Sequence, residues 1–475
     1  MTYLIAVDNG SQSTKVCLVD EHGRVYASAQ GRLRPYDTST PGRVVHPGDD
    51  LWDSVRATCR EAMSRFAGDP AQIAGVGLCT IRFCRVLLAA DGTLTEPVLS
   101  WMDPRVSARY EAAGTATRWV TTSSGYITHR LTGRFVDTAA NYQGVWPIDQ
   151  QTAAWSSDPA AYAATGMVRE SLFDLVQPGD RLGEVTAAAA AETGIPAGLP
   201  VFATANDKAV EALGSGLRDD DTVLLSLGTY VASMTTGDAA GDAAGAYWSN
   251  FASTPGRYLY ESCGIRRGMW TVSWYRNLLE GDPGPDASLP AASGIEEELN
   301  AGAAKLAAGS NGLMTVLDWL APGKHPHRRG AMIGFDGSQG RFHVYRSILE
   351  GIALTMLNHT RVMERALGRE FTSMVVSGGG SRSDLMMQIV ADVFDLPARR
   401  TAMNDAAGLG AAICAAVGAA VHPDWDSAVD AMVTVADTFA PHADQVATYL
   451  GINQVYAGLT TYTDPLFRFT AGGPG

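Results

Sequence analysis

Two short turns in this sequence have the composition of phosphate-binding loops. The first runs from Asp8 to Lys15 (DNGSQSTK) between two apolar segments, and the second is Leu227-Gly228-Thr229. Glycine permits a tight turn whose successive N–H groups face phosphate oxygens. We expect Asp8 to lie beside the phosphates and to hold Mg²⁺ through water. One such turn alone is more often an ordinary hairpin loop, but two of them can hold a triphosphate from opposite sides of a cleft.

A third glycine-rich segment, Ser377-Gly378-Gly379-Gly380-Ser381, follows the apolar strand Met374 to Val376 and precedes a helix with apolar positions at helical spacing. Glycine at this place allows a flat ring to approach the backbone. Because 51 of the 475 residues are glycine, a triplet arises by chance roughly 0.6 times in such a chain. The strand-to-helix context, more than the triplet, therefore indicates nucleotide binding.

Asp207 is the acidic residue that we expect to act as a proton acceptor. It follows the apolar strand Pro200 to Ala203 and lies at the N-terminus of a short helix that ends at Gly214. A simple helix cap is the alternative role. However, the end of a strand close to a domain boundary is where α/β proteins usually bind ligands. The helix N-terminus should favour the ionised form of the side chain.

Substrate-contacting side chains are predicted at two further places. Arg82 comes just after the strand Ile73 to Leu78, and a cation there would be costly to bury without a partner, so we expect it to line a cleft. Trp101, Asp103 and Arg105 combine a ring, an acid and a bidentate donor within five residues. Polyhydroxyl ligands are typically held by such groups. A surface turn with a local Asp–Arg pair is the alternative interpretation of this segment.

The elements that position these residues are two strand-turn-strand units. Leu4 to Val7 and Lys15 to Val19 flank the first turn, and Val25 to Ala27 extends the unit to an antiparallel meander. Thr222 to Ser233 has the pattern of a second hairpin, which predicts that the same arrangement begins again after the charged connector Leu217 to Asp221. The alternation of strands with helical patterns predicts an α/β fold.

The length of the chain and the repeated hairpin predict two domains, residues 1–220 and 221–475. Gly237 to Gly245 and Gly281 to Ala292 have the composition of exposed loops. Ala406 to Val421 carries no charge, but it is shorter than a membrane span, and its Gly and Ala content favours a helix packed in a core.

Composition narrows the classes of partner. The 36 Lys and Arg against 50 Asp and Glu give a net charge of −14, which repels nucleic acid and anionic membranes. The acidic Asp8 interrupts the first apolar run too early for a signal peptide, which favours the cytoplasm. No metal-ligand or CxxC spacing occurs among the cysteines, so we expect reduced, buried thiols at Cys17, Cys59, Cys79, Cys84, Cys263 and Cys414.

These motifs, in this order, resemble those of the FGGY carbohydrate kinases, over almost the whole chain. The resemblance implies two actin-like (ribonuclease H-like) domains around an ATP-binding cleft, with ATP and Mg²⁺ as cofactors and Asp207 as the catalytic aspartate. It also implies a division of the remaining site residues. For ATP these are Ser11, Gln12, Ser13, Lys15, Gly228, Thr229, Gly378, Gly379 and Ser383; for the sugar or polyol they are Arg82, Phe83, Trp101, Asp103 and Asp207; for the metal it is Asp8.

The chain departs from the family pattern where the substrate is chosen. Relatives that act on glycerol have Arg-Glu, and those that act on xylulose have Met-His, where this chain has Arg82-Phe83. Lys208 replaces a common Gln or Ala, and the interval from Arg105 to Leu131 is shorter than usual. We therefore expect a pentulose or polyol substrate and poor use of glycerol. The alternative function is a sugar-binding or ATPase regulator without kinase activity. A homodimer is one of the oligomeric states that the sequence allows.

Overall fold

The structure is a computed structural model, and it describes residues 1–112, 116–281 and 294–471. These residues form 21 strands. The strands are β1 (Tyr3–Asn9), β2 (Ser13–Asp20), β3 (Val25–Arg32), β4 (Ile73–Thr80), β5 (Val86–Leu88), β6 (Trp119–Thr121), β7 (Val136–Thr138), β8 (Ile148–Asp149), β9 (Ala154–Trp155), β10 (Asp174–Val176), β11 (Arg181–Glu184), β12 (Pro200–Ala203), β13 (Thr222–Leu227), β14 (Val231–Gly237), β15 (Tyr247–Phe251), β16 (Tyr258–Ser262), β17 (Met314–Val316), β18 (Ala331–Ile333), β19 (Ser373–Ser377), β20 (Ala398–Thr401) and β21 (Val435–Phe439).

The same residues form 13 α-helices. They are α1 (Asp50–Arg65), α2 (Ser123–Thr132), α3 (Pro159–Thr165), α4 (Ala187–Thr193), α5 (Asp207–Gly214), α6 (Gly268–Leu279), α7 (Gly294–Ala303), α8 (Arg341–Leu367), α9 (Asp384–Phe394), α10 (Ala406–Gly418), α11 (Trp425–Met432), α12 (Ala443–Tyr456) and α13 (Leu459–Ala471). None of the described helices is both long and apolar enough to cross a membrane.

Two large sheets organise the chain, and each begins with a hairpin. The first has the strand order β11-β12-β4-β1-β2-β3, in which β1, β2 and β3 are antiparallel neighbours and β4 runs parallel to both β1 and β12. The second has the order β15-β16-β14-β13-β19-β20-β21, in which β13 pairs antiparallel with β14 and parallel with β19. The two predicted hairpins, the antiparallel meander and the α/β class are therefore confirmed.

Helix α10 is the buried helix predicted from the uncharged Ala/Gly stretch. It packs against β1, β4 and α5, which precede it by some 200 residues or more in the chain. Glycine makes the close approach possible, because a Cβ on Gly410 would lie 1.9 Å from the Val210 carbonyl oxygen and one on Gly77 would lie 2.0 Å from that of Ala411. The backbone of α10 thus fixes the position of α5, the helix that begins at Asp207.

Several expectations change in detail. Cys263 is exposed, whereas the other five cysteines are buried and free, so the prediction of six buried thiols is wrong at one position. Residues 282–293, the main part of the second predicted loop, lie outside the described residues. A loop separates α5 from β13 at the proposed domain boundary, and the boundary itself stays a prediction.

Candidate active site

Arg82 connects the two sheets at the centre of the candidate site. It lies just beyond the carboxyl end of β4, and its guanidinium donates to both carboxylate oxygens of Glu261 on β16, at 2.8 and 3.1 Å. The Arg82 Nε lies 3.8 Å from Asp207 Oδ1. Glu261 is fully buried, and a buried cation requires such a partner. The sequence indicated the need for this partner but not its identity, because Glu261 is remote in the chain.

An aromatic pair covers the guanidinium. The Arg82 Cζ lies 4.8 Å from the ring centroid of Trp248 and 5.2 Å from that of Phe83. The two ring centroids are 6.0 Å apart. Phe83 has a φ of 65°, in the left-handed region that bulky residues rarely adopt, and such strain is concentrated at functional sites. Phe83 and Trp248 thus form an apolar aromatic surface over Arg82, whose Nε lies 3.8 Å from Asp207.

Asp207 is the first residue of α5, and the helix cap is a different residue. The Oδ1 of Asn206 accepts from the backbone N–H groups of Lys208 and Ala209, each at 3.1 Å. Asp207 also accepts one bond, from Lys208 N at 3.0 Å, and its side chain stays 30% exposed. The alternative role as the N-cap is thus filled by Asn206, and the Asp207 carboxylate is open to a ligand.

The protonation preference of Asp207 is opposite to the prediction. Burial raises the pKa of Asp207, although the charges of Arg82 and Lys208 act in the other direction. Desolvation of the carboxylate, together with the negative charges of Glu211 and Glu261, therefore outweighs both cations. A raised pKa makes Asp207 a better proton acceptor than an ordinary aspartate, provided that the site is deprotonated at the working pH.

The first turn places a lysine between two acids. Lys15 Nζ lies 3.2 Å from Asp405 Oδ1 and 3.8 Å from Asp8 Oδ2. Burial, together with the charge of Asp405, raises the pKa of Asp8 to about 7, and Lys15 opposes this shift. The two carboxylates carry more negative charge than one lysine neutralises, so the residues present fit a divalent cation. Asp405 immediately precedes α10 and was not among the predicted site residues.

The backbone of the first turn is anchored on its outer side. The Ser11 carbonyl accepts from the Tyr36 hydroxyl at 3.1 Å, and the Gln12 carbonyl accepts from Leu33 N at 2.9 Å. Ser13 Oγ accepts from the Gln30 side chain at 3.0 Å. These bonds hold the turn in a fixed shape, as a phosphate-binding loop requires.

The second turn and the third glycine segment pack directly against each other. Gly378 has a φ of 82°, and a Cβ added to it would lie 2.7 Å from the carbonyl carbon of Leu227. A Cβ on Gly379, by contrast, would meet no protein atom within 4 Å. The carbonyl oxygens of Gly228 and Thr229 accept from the start of α6, at 3.2 and 2.9 Å. The surface over Gly379 is thus open beside the second turn, as an adenosine site would need.

Ser383, predicted to contact the nucleotide, caps a helix. Its Oγ accepts from Met386 N at 3.2 Å and donates to Asn300 Oδ1 at 2.8 Å. Nucleotide contact by Ser383 stays a prediction, and these bonds give its hydroxyl a structural role.

Glu211 was missed in the sequence and ties α5 to the second sheet. Its Oε2 lies 2.8 Å from Lys208 Nζ, and its Oε1 accepts from Ser226 Oγ at 2.7 Å and from the Ser377 hydroxyl. Lys208 Nζ also donates to Ser226 Oγ at 2.8 Å. The unusual lysine after Asp207 is therefore one half of an ion pair. Its i, i+3 spacing from Glu211 was the available sequence signal.

The Trp101 segment contains the local Asp–Arg pair that the alternative interpretation described. The Oδ2 of buried Asp103 accepts from Val44 N at 2.9 Å and from Arg105 Nη2 at 2.8 Å, while its Oδ1 accepts from Arg105 Nε at 2.9 Å. Trp101 is 44% exposed. Both carboxylate oxygens of Asp103 thus have local partners, and substrate contact by Trp101 or Asp103 stays a prediction.

Comparison with known proteins agrees with this geometry. Residues 3–113 and 106–214 match the N-terminal domain model of the FGGY family of carbohydrate kinases, and residues 223–419 match its C-terminal domain model. The chain is 47% identical to a protein of Escherichia coli K12 named "Uncharacterized sugar kinase YgcE", over 98% of this chain and 95% of that protein. It is 23% identical to a xylulose kinase of Lactococcus lactis, over 96% of each chain. The crystal structure of xylulose kinase from Rhodospirillum rubrum superposes with a TM-score of 0.82 at 24% identity, covering 98% of this chain and 100% of that one.

Proposed function

Because the chain belongs to the FGGY family of carbohydrate kinases, it is an ATP-dependent kinase of a small sugar, and we propose that Asp207 is its catalytic base. The observation that carries the proposal is the approach of Asp207 Oδ1 to within 3.8 Å of Arg82 Nε. Strands β4 and β12 are parallel neighbours, so the residues that follow them meet at one edge of the sheet, where such folds bind ligands.

Asp207 would accept the proton of the attacking hydroxyl. As the hydroxyl oxygen forms its bond to the γ-phosphorus, the bond from that phosphorus to the ADP oxygen breaks and the proton passes to the carboxylate. Arg82 holds Asp207 electrostatically from one side, which limits the orientations that the base can adopt. Orientation of the nucleophile contributes most to catalysis in a loose phosphoryl-transfer transition state.

The nucleotide would lie between the two turns. Asp8, with Asp405 close by, would hold Mg²⁺ through water, and Lys15 with the N–H groups of Ser11, Gln12 and Ser13 would face phosphate oxygens. The metal ion supplies charge neutralisation on the phosphates when it is bound. Gly228 and Thr229 would approach the phosphates from the second sheet, and Gly378 and Gly379 would lie under the adenosine.

The substrate would be an uncharged pentulose or polyol. Support comes from Arg82, because both of its terminal nitrogens already bind Glu261. Lys208, the other cation that acts on Asp207, is paired with Glu211, so neither side chain is free to bind a substrate carboxylate. Phe83 and Trp248 offer apolar ring surfaces for C–H groups, as aromatic side chains do. Sugar acids should therefore bind poorly compared with neutral sugars of the same length.

A coupled ADP-release assay tests this proposal. The protein is mixed with Mg-ATP and a panel of pentuloses, hexuloses, tetritols, pentitols and the matching sugar acids. We expect ADP release to depend on a neutral member of the panel. The best rate with a sugar acid would contradict the proposed substrate class. ADP release that no sugar stimulates would instead favour the regulator predicted as the alternative.

A further inference from the structure

Two histidines and an aspartate that play no part in the proposed reaction converge on one point of the surface. His325 and His327 lie on the loop between β17 and β18, and Asp464 lies on α13 at the other end of the domain sequence. One ligand atom from each residue falls within 4.8 Å of the others. The His327 Nε2 is 3.6 Å from Asp464 Oδ1, and each of these two side chains is 16% exposed. The cluster is thus half-buried and reachable from solvent.

The spacing fits one small metal ion. Zinc binds histidine nitrogen and carboxylate oxygen at about 2.0–2.2 Å in tetrahedral geometry, which places two ligand atoms roughly 3.3–3.6 Å apart. The distance from His327 Nε2 to Asp464 Oδ1, 3.6 Å, lies at the upper end of that range. The other ligand-atom pairs lie within 4.8 Å, so side-chain rotations would bring all three ligands around one ion. The imidazole rings of His325 and His327 are nearly perpendicular, with centroids 6.0 Å apart, so the two rings do not stack on each other and can turn toward a common ion.

The charges around the cluster must also be accounted for. Arg328 donates to both oxygens of Asp464, at 2.7 and 2.9 Å, which orients the carboxylate and neutralises it. Arg468 donates weakly to His327 Nε2, at 3.4 Å, and it is an exposed side chain that can move away at little cost. The half-buried carboxylate of Asp318 interacts electrostatically with Arg328, Asp464 and both histidines.

We propose that His325, His327 and Asp464 form a zinc-binding site, completed by water. Two imidazole nitrogens select a transition metal of the zinc type over Mg²⁺, which prefers oxygen ligands. The carboxylate oxygens of Asp464 each retain a lone pair for the metal after bonding Arg328. A bound ion would join the β17–β18 loop to α13, so that it stabilises the last helix against the body of the protein.

The test is a zinc titration of the full, untagged chain after chelator treatment. Competition with a chromophoric chelator gives stoichiometry and affinity. We expect one zinc ion per chain, bound at least about tenfold more weakly by the variants His327→Ala and Asp464→Asn. His22→Ala is the matched control, because His22 is an exposed histidine outside the cluster, and this variant should bind zinc like the unmodified protein.

Thermal unfolding supplies a second readout, because a ligand that binds only the folded state raises its stability. Zinc should raise the melting temperature of the unmodified protein and of His22→Ala, and should leave that of His327→Ala unchanged. Equal zinc affinity in the unmodified protein and in His327→Ala would overturn the proposal. The proposal would also be overturned if the unmodified protein did not bind zinc when zinc is supplied at micromolar concentration.

Discussion

Asp207 is the residue on which the proposed chemistry depends most directly. Asp207→Asn removes the charge and keeps the size of the side chain, while the cap made by Asn206 is left intact. Turnover should fall by about 10²–10⁴, the usual contribution of a general base, with Mg-ATP binding retained. Because burial raises the pKa of Asp207, the activity of the unmodified enzyme should decline as the pH falls through that raised value. Near-normal turnover of the variant in the ADP-release assay would move the base elsewhere.

A substitution at Gly379 can test ligand binding without disturbing the packing of the protein. A Cβ at this position meets no protein atom within 4 Å, so Gly379→Ala should leave the melting temperature unchanged. If adenosine lies over this residue, the added methyl group should weaken ATP binding by about 1 kcal/mol, or about fivefold. The KM for ATP at saturating sugar measures the effect. An unchanged KM would place the adenosine away from Gly379.

At the scale of elements, the contact between α5 and α10 sets the position of the base. A Cβ on Gly410 would lie 1.9 Å from the Val210 carbonyl oxygen, so Gly410→Ala must push the two helices apart. We expect a loss of about 1–3 kcal/mol in the free energy of unfolding and a lower kcat, since Asp207 moves with α5. The control is Gly451→Ala in α12, where nothing lies within 4 Å and alanine should be neutral or stabilising. Denaturant unfolding compares the two variants, and equal stability would show that the helices can separate freely.

The elements show how far sequence reasoning reaches. The hairpins around Asp8 and Gly228, and the strand before Gly378, were predictable because turn residues between apolar runs act locally. Glu261 and Asp405 were not, since their roles depend on partners 179 and 390 residues away in the chain. Asp103 combines both cases, because it accepts from its near neighbour Arg105 and from Val44, 59 residues away in the chain. The raised pKa of Asp207 could not be predicted from the sequence either, because it depends on how deeply the side chain is buried.

At the scale of the whole molecule, we expect the enzyme to discriminate against substrates whose hydroxyl groups would have no hydrogen-bond acceptor in the site. Relatives that act on glycerol have an acid at the position of Phe83. Because Phe83 offers only apolar contact, a glycerol hydroxyl would have no acceptor there. A defect of this kind costs roughly 1–3 kcal/mol. Glycerol should therefore have a kcat/KM at least about tenfold below that of the best sugar in the panel. Equal turnover of glycerol would contradict the role given to Phe83.

Side chains near the proposed ligand sites connect the two sheets, and these contacts lead to a prediction that the two halves of the protein close when ligands bind. Arg82 on the first sheet holds Glu261 on the second, and Glu211 holds Ser226 and Ser377. A nucleotide between the two turns would add contacts to both sides, so sugar and nucleotide together should favour a more closed form that excludes water and limits idle ATP hydrolysis. Small-angle scattering of the Asp207→Asn variant, in which we expect ligand binding with slow turnover, should show a smaller radius of gyration with saturating sugar and Mg-ATP than without them. A matched sample with the sugar alone separates the contribution of each ligand, and profiles that coincide under all conditions would show that the halves do not close.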